Sequence, residues 1–307
     1  VTAVDAVIVA YRSDAVIEQA VTAAQALGGD VVVVDHGDGA SARLAALAGA
    51  TVLQDRGNPG FGTGQNLGFT LTNSEYVLVC NPDARIIPEA VRAGASLLDL
   101  RPDVAAVQGV ILNRATGAPE RSAGVEVGPV HLLGRAVGAR GLLRYRWVST
   151  LAARSKILRD HVHRVPLEAL EADALAATAV LVRRAAFEAV GGFDQAYFLY
   201  GEDLDLCRRL RQAGWKLVTV PDVWAVHVSG GSAESAAGRE AQWWRGTMQF
   251  GASWWGHGAW RLAILAAGMR WCRLAVADPR HAGTSLRALV LDPLARRRDR
   301  SRPACSG

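Results

Sequence analysis

The stretch Val31-Val32-Val33-Val34-Asp35 decides the fold. Four β-branched residues in a row leave no polar face, so this strand is covered on both sides. Strands buried on both faces belong to parallel sheets, whose crossovers lay helices over each face. The flanking sequence has the alternation such a sheet needs. Upstream, Val4–Ala10 is a second apolar run, read as a buried strand with no basic leader before it. Between the two, Val16, Ala20, Ala23, Ala24 and Leu27 recur at helical spacing, and Gly28-Gly29 ends the helix.

Downstream, the alternation continues. Residues 41–47 predict a helix, Ala50–Leu53 a strand, and Tyr76–Cys80 a strand closed by Asn81-Pro82-Asp83. Pro88 opens a helix to about Leu100, since proline suits the first helical turn. Strands then follow at 105–112, 174–182, 216–220 and 223–228, with helices at 184–190 and 204–213. Alternating strands and helices predict an α/β fold: a Rossmann-like, mostly parallel central sheet flanked by helices. Ligands of such sheets bind at the carboxyl ends of the strands. Asp35 and Asp83 both fall there. Residues 113–173 read as irregular with some helix, and Arg135, Arg140, Arg144, Arg146, Arg154 and Arg159 recur in them.

The chain has 307 residues, 50% of them apolar and 21% charged, ordinary for a globular domain with a large core. Its four cysteines, Cys80, Cys207, Cys272 and Cys305, show no CxxC spacing. Reduced cytosolic thiols account for them better than a disulfide framework or a zinc site. The longest apolar run near the end, Leu262–Met269, is too short to span a bilayer.

Five motifs suit chemistry. Asp35 is placed to accept hydrogen bonds from a nucleotide, or to cap a helix. The run Gly57-Asn58-Pro59-Gly60-Phe61-Gly62-Thr63-Gly64-Gln65-Asn66-Leu67-Gly68 reads as a loop whose backbone amides approach a diphosphate. It lacks both the Lys-Ser/Thr of a P-loop and the glycine spacing of a dinucleotide fingerprint. Asn81-Pro82-Asp83 offers a carboxylate to a divalent cation, or makes a simple turn. Tyr200-Gly201-Glu202-Asp203-Leu204-Asp205 sets three acids at a helix start, which favours the macrodipole and also suits a general base. His227 ends an apolar run and is either a metal ligand or a core histidine.

Taken in order, these motifs resemble family-2 glycosyltransferases of the GT-A fold over residues 4–230, nearest to bacterial rhamnosyltransferase-like members. The glycine run carries the first half of the resemblance. Gly191-Gly192-Phe193-Asp194, Phe198–Leu206, Arg209, Ala213-Gly214-Trp215 and His227 carry the second. The resemblance implies an inverting hexosyltransferase, with dTDP-L-rhamnose as the expected donor. It implies Asp203 as general base with Glu202 beside it, and donor contacts from Ala10, Tyr11, Asp35, Gly60, Gly62, Gly64, Asn66, Asn81, Asp83 and Trp215. Asp83 and His227 would hold Mg²⁺ or Mn²⁺. The acceptor would be a glycan, a lipid-linked sugar or a small molecule. Two departures stand out: Asp35-His36-Gly37-Asp38 replaces the usual Asp-Asn-x-Ser, and Asn-Pro-Asp replaces Asp-x-Asp. A nucleotidyltransferase and a non-catalytic nucleotide-sugar binder are the alternatives.

Beyond residue 230 the composition turns to Ala, Gly, Trp and Arg. Residues 1–230 read as the catalytic domain, 231–290 as a helical Trp/Arg-rich C-terminal extension and 291–307 as a basic, disordered tail. Trp243, Trp244, Trp254, Trp255, Trp260 and Trp271 with interleaved arginines suit a membrane interface or a subunit contact such as a homodimer. No nucleic-acid module is present. The expected location is cytoplasmic, with peripheral contact at the inner face of the membrane as an option.

Overall fold

The computed structural model describes residues 2–55, 57–120, 122–138, 166–228 and 236–277. Arg140, Arg144, Arg146, Arg154, Arg159, Cys305 and the basic tail at 291–307 lie outside the described residues. The chain divides into two compact units.

The first unit is built on a nine-stranded sheet. Its early elements alternate as the sequence predicts: β1 (Val4–Ala10), α1 (Ile17–Gln25), β2 (Gly28–Asp35), α2 (Ala40–Leu47), β3 (Thr51–Gln54), α3 (Phe61–Phe69), β4 (Tyr76–Cys80) and β5 (Ala84–Ile86). Then come α4 (Pro88–Leu100), β6 (Val104–Asn113) and β7 (Ala123–Gly124). After α5 (Pro129–Ala136), which belongs to the second unit, follow β8 (Leu170–Glu171), β9 (Ala174–Leu175), β10 (Ala179–Arg183), α6 (Arg184–Ala189), α7 (Glu202–Gln212) and β11 (Lys216–His227).

The strand order is β3-β2-β1-β4-β10-β6-β11-β5, with β8 also on β11. The pairs β1–β2, β1–β4, β2–β3 and β6–β11 are parallel. One expectation needs correction here. The run 174–182 is not one strand: β9 pairs with β7 in a separate two-stranded ribbon, and β10 enters the main sheet antiparallel to both β4 and β6. Hydrophobic runs show that a strand is buried but carry no direction, and one antiparallel strand is compatible with a mostly parallel sheet. The segments at 216–220 and 223–228 are also one strand. Its pairing with β6 shifts register between Thr219 and Val223, where Pro221 sits. An irregularity is where a sheet tolerates proline.

Both faces are covered, as the valine run requires. Val31 and Val33 join a core beneath α1, α2 and α4, while Val32 and Val34 face a second core under α3, α6 and α7. β1 and β4 alternate likewise, Ile8 and Leu78 on one side and Val7 and Val77 on the other. Trp224 is fully buried where Gly94 of α4 and Gly109 of β6 leave room for its indole.

The second unit gathers α5, the Leu199–Glu202 segment and two long helices, α8 (Ala236–Trp254) and α9 (His257–Ala277). Within the stretch read as irregular with some helix, α5 packs with α9. Trp244, Trp255 and Trp260 are buried, and the Arg135 guanidinium lies 4.3 Å from the ring centre of Trp243. Much of the tryptophan of this region therefore forms the unit's own core. Among the described residues, no helix is long and apolar enough to cross a membrane.

Candidate functional site

The carboxyl ends of β1, β2, β4, β6 and β11 share one edge of the sheet, because these strands run the same way. β4 ends at Cys80, and the chain turns at once: the Asn81 amide donates to Thr178 O (2.9 Å) and the Ala84 amide to Asn81 O (3.2 Å). This turn presents Asp83. β5 then pairs antiparallel with the end of β11, setting His227 opposite Ala84, and the Val228 amide donates to Asp83 O (3.0 Å). Register alone therefore brings Asp83 and His227 together. His227 Nε2 lies 3.2 Å from Asp83 Oδ1.

The other ring nitrogen meets a residue that sequence reasoning missed. His227 Nδ1 is 2.8 Å from Glu120 Oε2, and Asn113 Nδ2 donates to Glu120 Oε1 at 2.8 Å. Asn113 Oδ1 in turn accepts from the amides of Ala115 and Thr116, which shapes the turn after β6. The Glu120 amide donates to Ile111 O (2.7 Å) and fixes the returning strand. Burial opposes the charged form of His227, but Asp83 and Glu120 outweigh it and raise its pKa to about 9. Cys80, buried beneath this turn, is pushed up to about 12 by burial and by Asp83, so it is a packed thiol and not a nucleophile.

The glycine run takes a form that its reading as a loop did not foresee. From Phe61 it is a helix, α3, lying on β1. A side chain at Gly68 would overlap Val7, and one at Gly64 would meet Val9 and His36 Nε2. These two glycines admit the helix to the sheet. Gly64 faces Val9 and Gly68 faces Val7, so α3 runs antiparallel to β1 and starts at the carboxyl edge. Gly60 precedes it at φ 109°, a left-handed conformation that glycine adopts freely, and the Phe61 amide donates to Phe198 O (3.0 Å). Asn66 is tied reciprocally to Phe193, donating to its carbonyl (2.8 Å) and accepting from its amide (2.9 Å).

The remaining residues divide. Ala10 is buried at the end of β1, next to half-exposed Tyr11, whose ring centre lies 5.3 Å from the Arg12 guanidinium. Asp35 is fully buried, accepting from the amides of Gly37 (2.9 Å) and Ala42 (3.3 Å), so its carboxylate serves the first turn of α2. His36 is also buried, its Nδ1 2.9 Å from Asp55 O. Asp203 is partly exposed on the first turn of α7. That helix ends three residues before β11 begins at the amino edge, so its start lies toward the carboxyl edge. Glu202 is buried, and Asp205 is bound by Arg209 Nε at 2.6 Å. Trp215 does not join the group. It precedes β11 at the amino edge and packs on the core under α7, with the length of β11, about 40 Å of strand at most, separating it from His227.

Asp83 and His227 can hold a divalent cation once Nε2 gives up the proton it directs at Asp83, so metal binding there would release a proton. An octahedral ion with bonds near 2.1 Å sets adjacent ligand atoms about 3 Å apart, close to the observed pair. Among the described residues no group of three metal-ligating side chains converges. Two protein ligands are enough for an ion that keeps water and substrate phosphate.

Comparison with known proteins bears on the fold and the family. In Mycobacterium tuberculosis, an N-acetylglucosaminyl-diphospho-decaprenol L-rhamnosyltransferase is 53% identical over 53 residues, 17% of each chain. The rhamnosyltransferase WbbL of Escherichia coli K12 is 44% identical over 68 residues, 21% of this chain and 26% of that one. These alignments thus span about a quarter or less of the relatives' length. Among solved structures, the mannosyltransferase PcManGT of Pyrobaculum calidifontis, in complex with GDP-Man and Mn²⁺, superposes with a TM-score of 0.58 at 14% identity, covering 98% of this chain and 88% of that one. GalNAc-T7 with UDP, GalNAc and Mn²⁺ gives 0.56 at 12% identity, covering 89% and 51%. At such identities the structures establish the GT-A-like fold alone. The profile of glycosyltransferase like family 2 matches residues 2–246, and with most of the chain inside that match, the protein belongs to this family of glycosyltransferases.

Proposed function

We propose that this chain transfers a hexosyl group, with inversion, from a nucleoside diphosphate sugar to an acceptor hydroxyl. The observation that carries the reading is the Asp83–His227 pair, held by register at the carboxyl edge. These two residues would hold Mg²⁺ or Mn²⁺, which when bound supplies a Lewis acid against the diphosphate charge. Glu120, on the far side of the imidazole, keeps Nε2 turned to the donor side. The Phe61 amide is taken by Phe198 O, so it is the next amides of α3, those of Gly62 and Thr63 at the positive end of its dipole, that would meet the donor phosphates. Asp203 accepts the proton of the acceptor hydroxyl as its oxygen bonds the anomeric carbon, and the bond to the diphosphate oxygen breaks on the opposite face. Glu202 adjoins it on the acceptor side.

The donor we favour is dTDP-L-rhamnose and the acceptor a lipid-linked sugar or a growing glycan. Support comes from the local matches to two rhamnosyltransferases, one named for a decaprenol-linked substrate. The test is calorimetry of dTDP, UDP and GDP, each with and without Mn²⁺, followed by transfer assays. The expected result is metal-enhanced binding of dTDP that Asp83→Ala removes. Asp203→Asn should lower transfer by roughly 10²- to 10⁴-fold while dTDP still binds. Binding of none of the three nucleotides would refute the reading, and an active Asp203→Asn enzyme would remove the general base.

A further inference from the structure

We propose that the outward face of α9 docks the protein on an anionic lipid bilayer. This surface lies in the second unit and does not rest on the transfer chemistry. Along α9, Arg261, Leu265, Met269 and Cys272 recur at helical spacing and are all exposed. Leu265 is 57% exposed and Met269 37%. The opposite face, with Trp260, Ala263 and Ala267, is buried. The exposed stripe is thus apolar over its middle turns, the reverse of what solvent contact favours on a surface helix. α5, packed with α9, also exposes Val130, and Val137 just after its end is exposed too.

Charge identifies the occupant. α9 contains Arg261, Arg270 and Arg273 and no acid. Glu240, on the neighbouring α8, is paired with Arg135 (3.5 Å) and Arg270 (2.6 Å). The segregation extends through the sequence: residues 236–307 hold 12 arginines, no lysine and four acids, a net +8. Residues 1–235 hold 22 basic and 25 acidic side chains, a net −3. A cationic segment with leucine and methionine on its exposed helix face fits a surface that offers both phosphate and hydrocarbon. Nucleic acid offers no seat for Leu265 and Met269. A symmetric contact with a second copy would bring equivalent arginines together, because a two-fold interface pairs each patch with itself.

The test is co-sedimentation of the full chain with vesicles of phosphatidylcholine mixed equally with phosphatidylglycerol, against phosphatidylcholine alone. The expected result is binding to the mixed vesicles only, weakened by salt. Arg261→Glu should reduce it by roughly fivefold or more, since each arginine near an anionic surface contributes about 1 kcal/mol. Leu265→Glu with Met269→Glu should abolish it while nucleotide binding and thermal unfolding stay unchanged. Should that double variant misfold, Leu265→Gln replaces it, with the same expected direction. Failure to bind mixed vesicles, or equal binding by the variants, would overturn the proposal. So would a dimer in size-exclusion chromatography that Leu265→Glu dissociates, or nucleic-acid binding that needs the same residues. None of these outcomes bears on donor binding at Asp83, so the two readings fail separately.

Discussion

Glu120 shows how a residue outside every motif shapes the reactive pair. The imidazole of His227 lies between two carboxylates, and the bond at Nδ1 fixes which nitrogen points at Asp83. Second-shell partners of this kind typically contribute 10- to 100-fold in metal affinity. Glu120→Ala should therefore weaken Mn²⁺-dependent nucleotide binding by roughly 10- to 100-fold and leave metal-free binding unchanged. Glu120→Gln keeps an oxygen for the Nδ1 proton and should recover part of the loss. Calorimetry with and without Mn²⁺ reads both effects, and equal losses in the two conditions would reduce Glu120 to a structural residue. Asp83 and His227 were legible in the sequence because each ends a strand of an α/β sheet. Glu120 was not, since the turn Thr116-Gly117-Ala118-Pro119 before it has no periodicity and the pairing crosses from one strand end to another.

At the scale of the element, α3 and α9 make opposite uses of glycine. A glycine inside a helix costs about 0.8–1 kcal/mol against alanine, so an unconstrained one gains from replacement. Gly268 of α9 has nothing within 4 Å of a built side chain, and Gly268→Ala should stabilise the protein by roughly 0.5–1 kcal/mol. Gly68 of α3 has the same intrinsic preference, but its side chain would overlap Val7 of buried β1. Gly68→Ala should destabilise by roughly 1–3 kcal/mol, because the overpacking exceeds the propensity gain. Denaturant midpoints measure both, and the same sign in the two variants would refute the packing account. This contrast also explains what the sequence yielded. Most strand and helix positions up to residue 113 were readable from apolar runs and turn residues, with ends shifted by up to three positions, but the three-residue β5 was not. A run of five glycines read as a loop, because the reason for them lies in Val7 and Val9, some 50 residues earlier. The direction of β10 was equally hidden, as was the membership of α5, whose partner α9 follows 120 residues later.

The whole molecule separates stability from chemistry along its strands. The carboxyl edge of the sheet carries Asp83, His227 and the start of α3. The amino edge is laced by buried charges that touch no candidate ligand. Arg183 donates to Val104 O, Leu98 O, Arg101 O and Glu75, joining β10 to the elements on either side. Asp5, 2% exposed in β1, accepts from the amides of Asp30, Asn73 and Ser74 and from the Ser74 hydroxyl. Burial works to raise its pKa, but these bonds favour the anion and hold it below the ordinary 3.8. A folded value below the unfolded one means that the folded state binds the proton more weakly. The stabilisation is therefore full above about pH 4 and is lost as the pH falls through the ordinary aspartate range toward the folded value. Asp5→Asn turns an acceptor into a group that meets main-chain amides with its own N–H, and should cost roughly 1–3 kcal/mol at neutral pH. The gap from the wild type should narrow below pH 4, where the native carboxylate is itself being protonated. Donor binding at the far edge, measured at neutral pH on the folded fraction, should stay unchanged in this variant, whereas Asp83→Ala should lose binding with little change in melting temperature. Melting curves from pH 3 to pH 7 with parallel nucleotide titrations decide the matter, and a constant gap across that range would show that Asp5 is not held as an anion by its bonds.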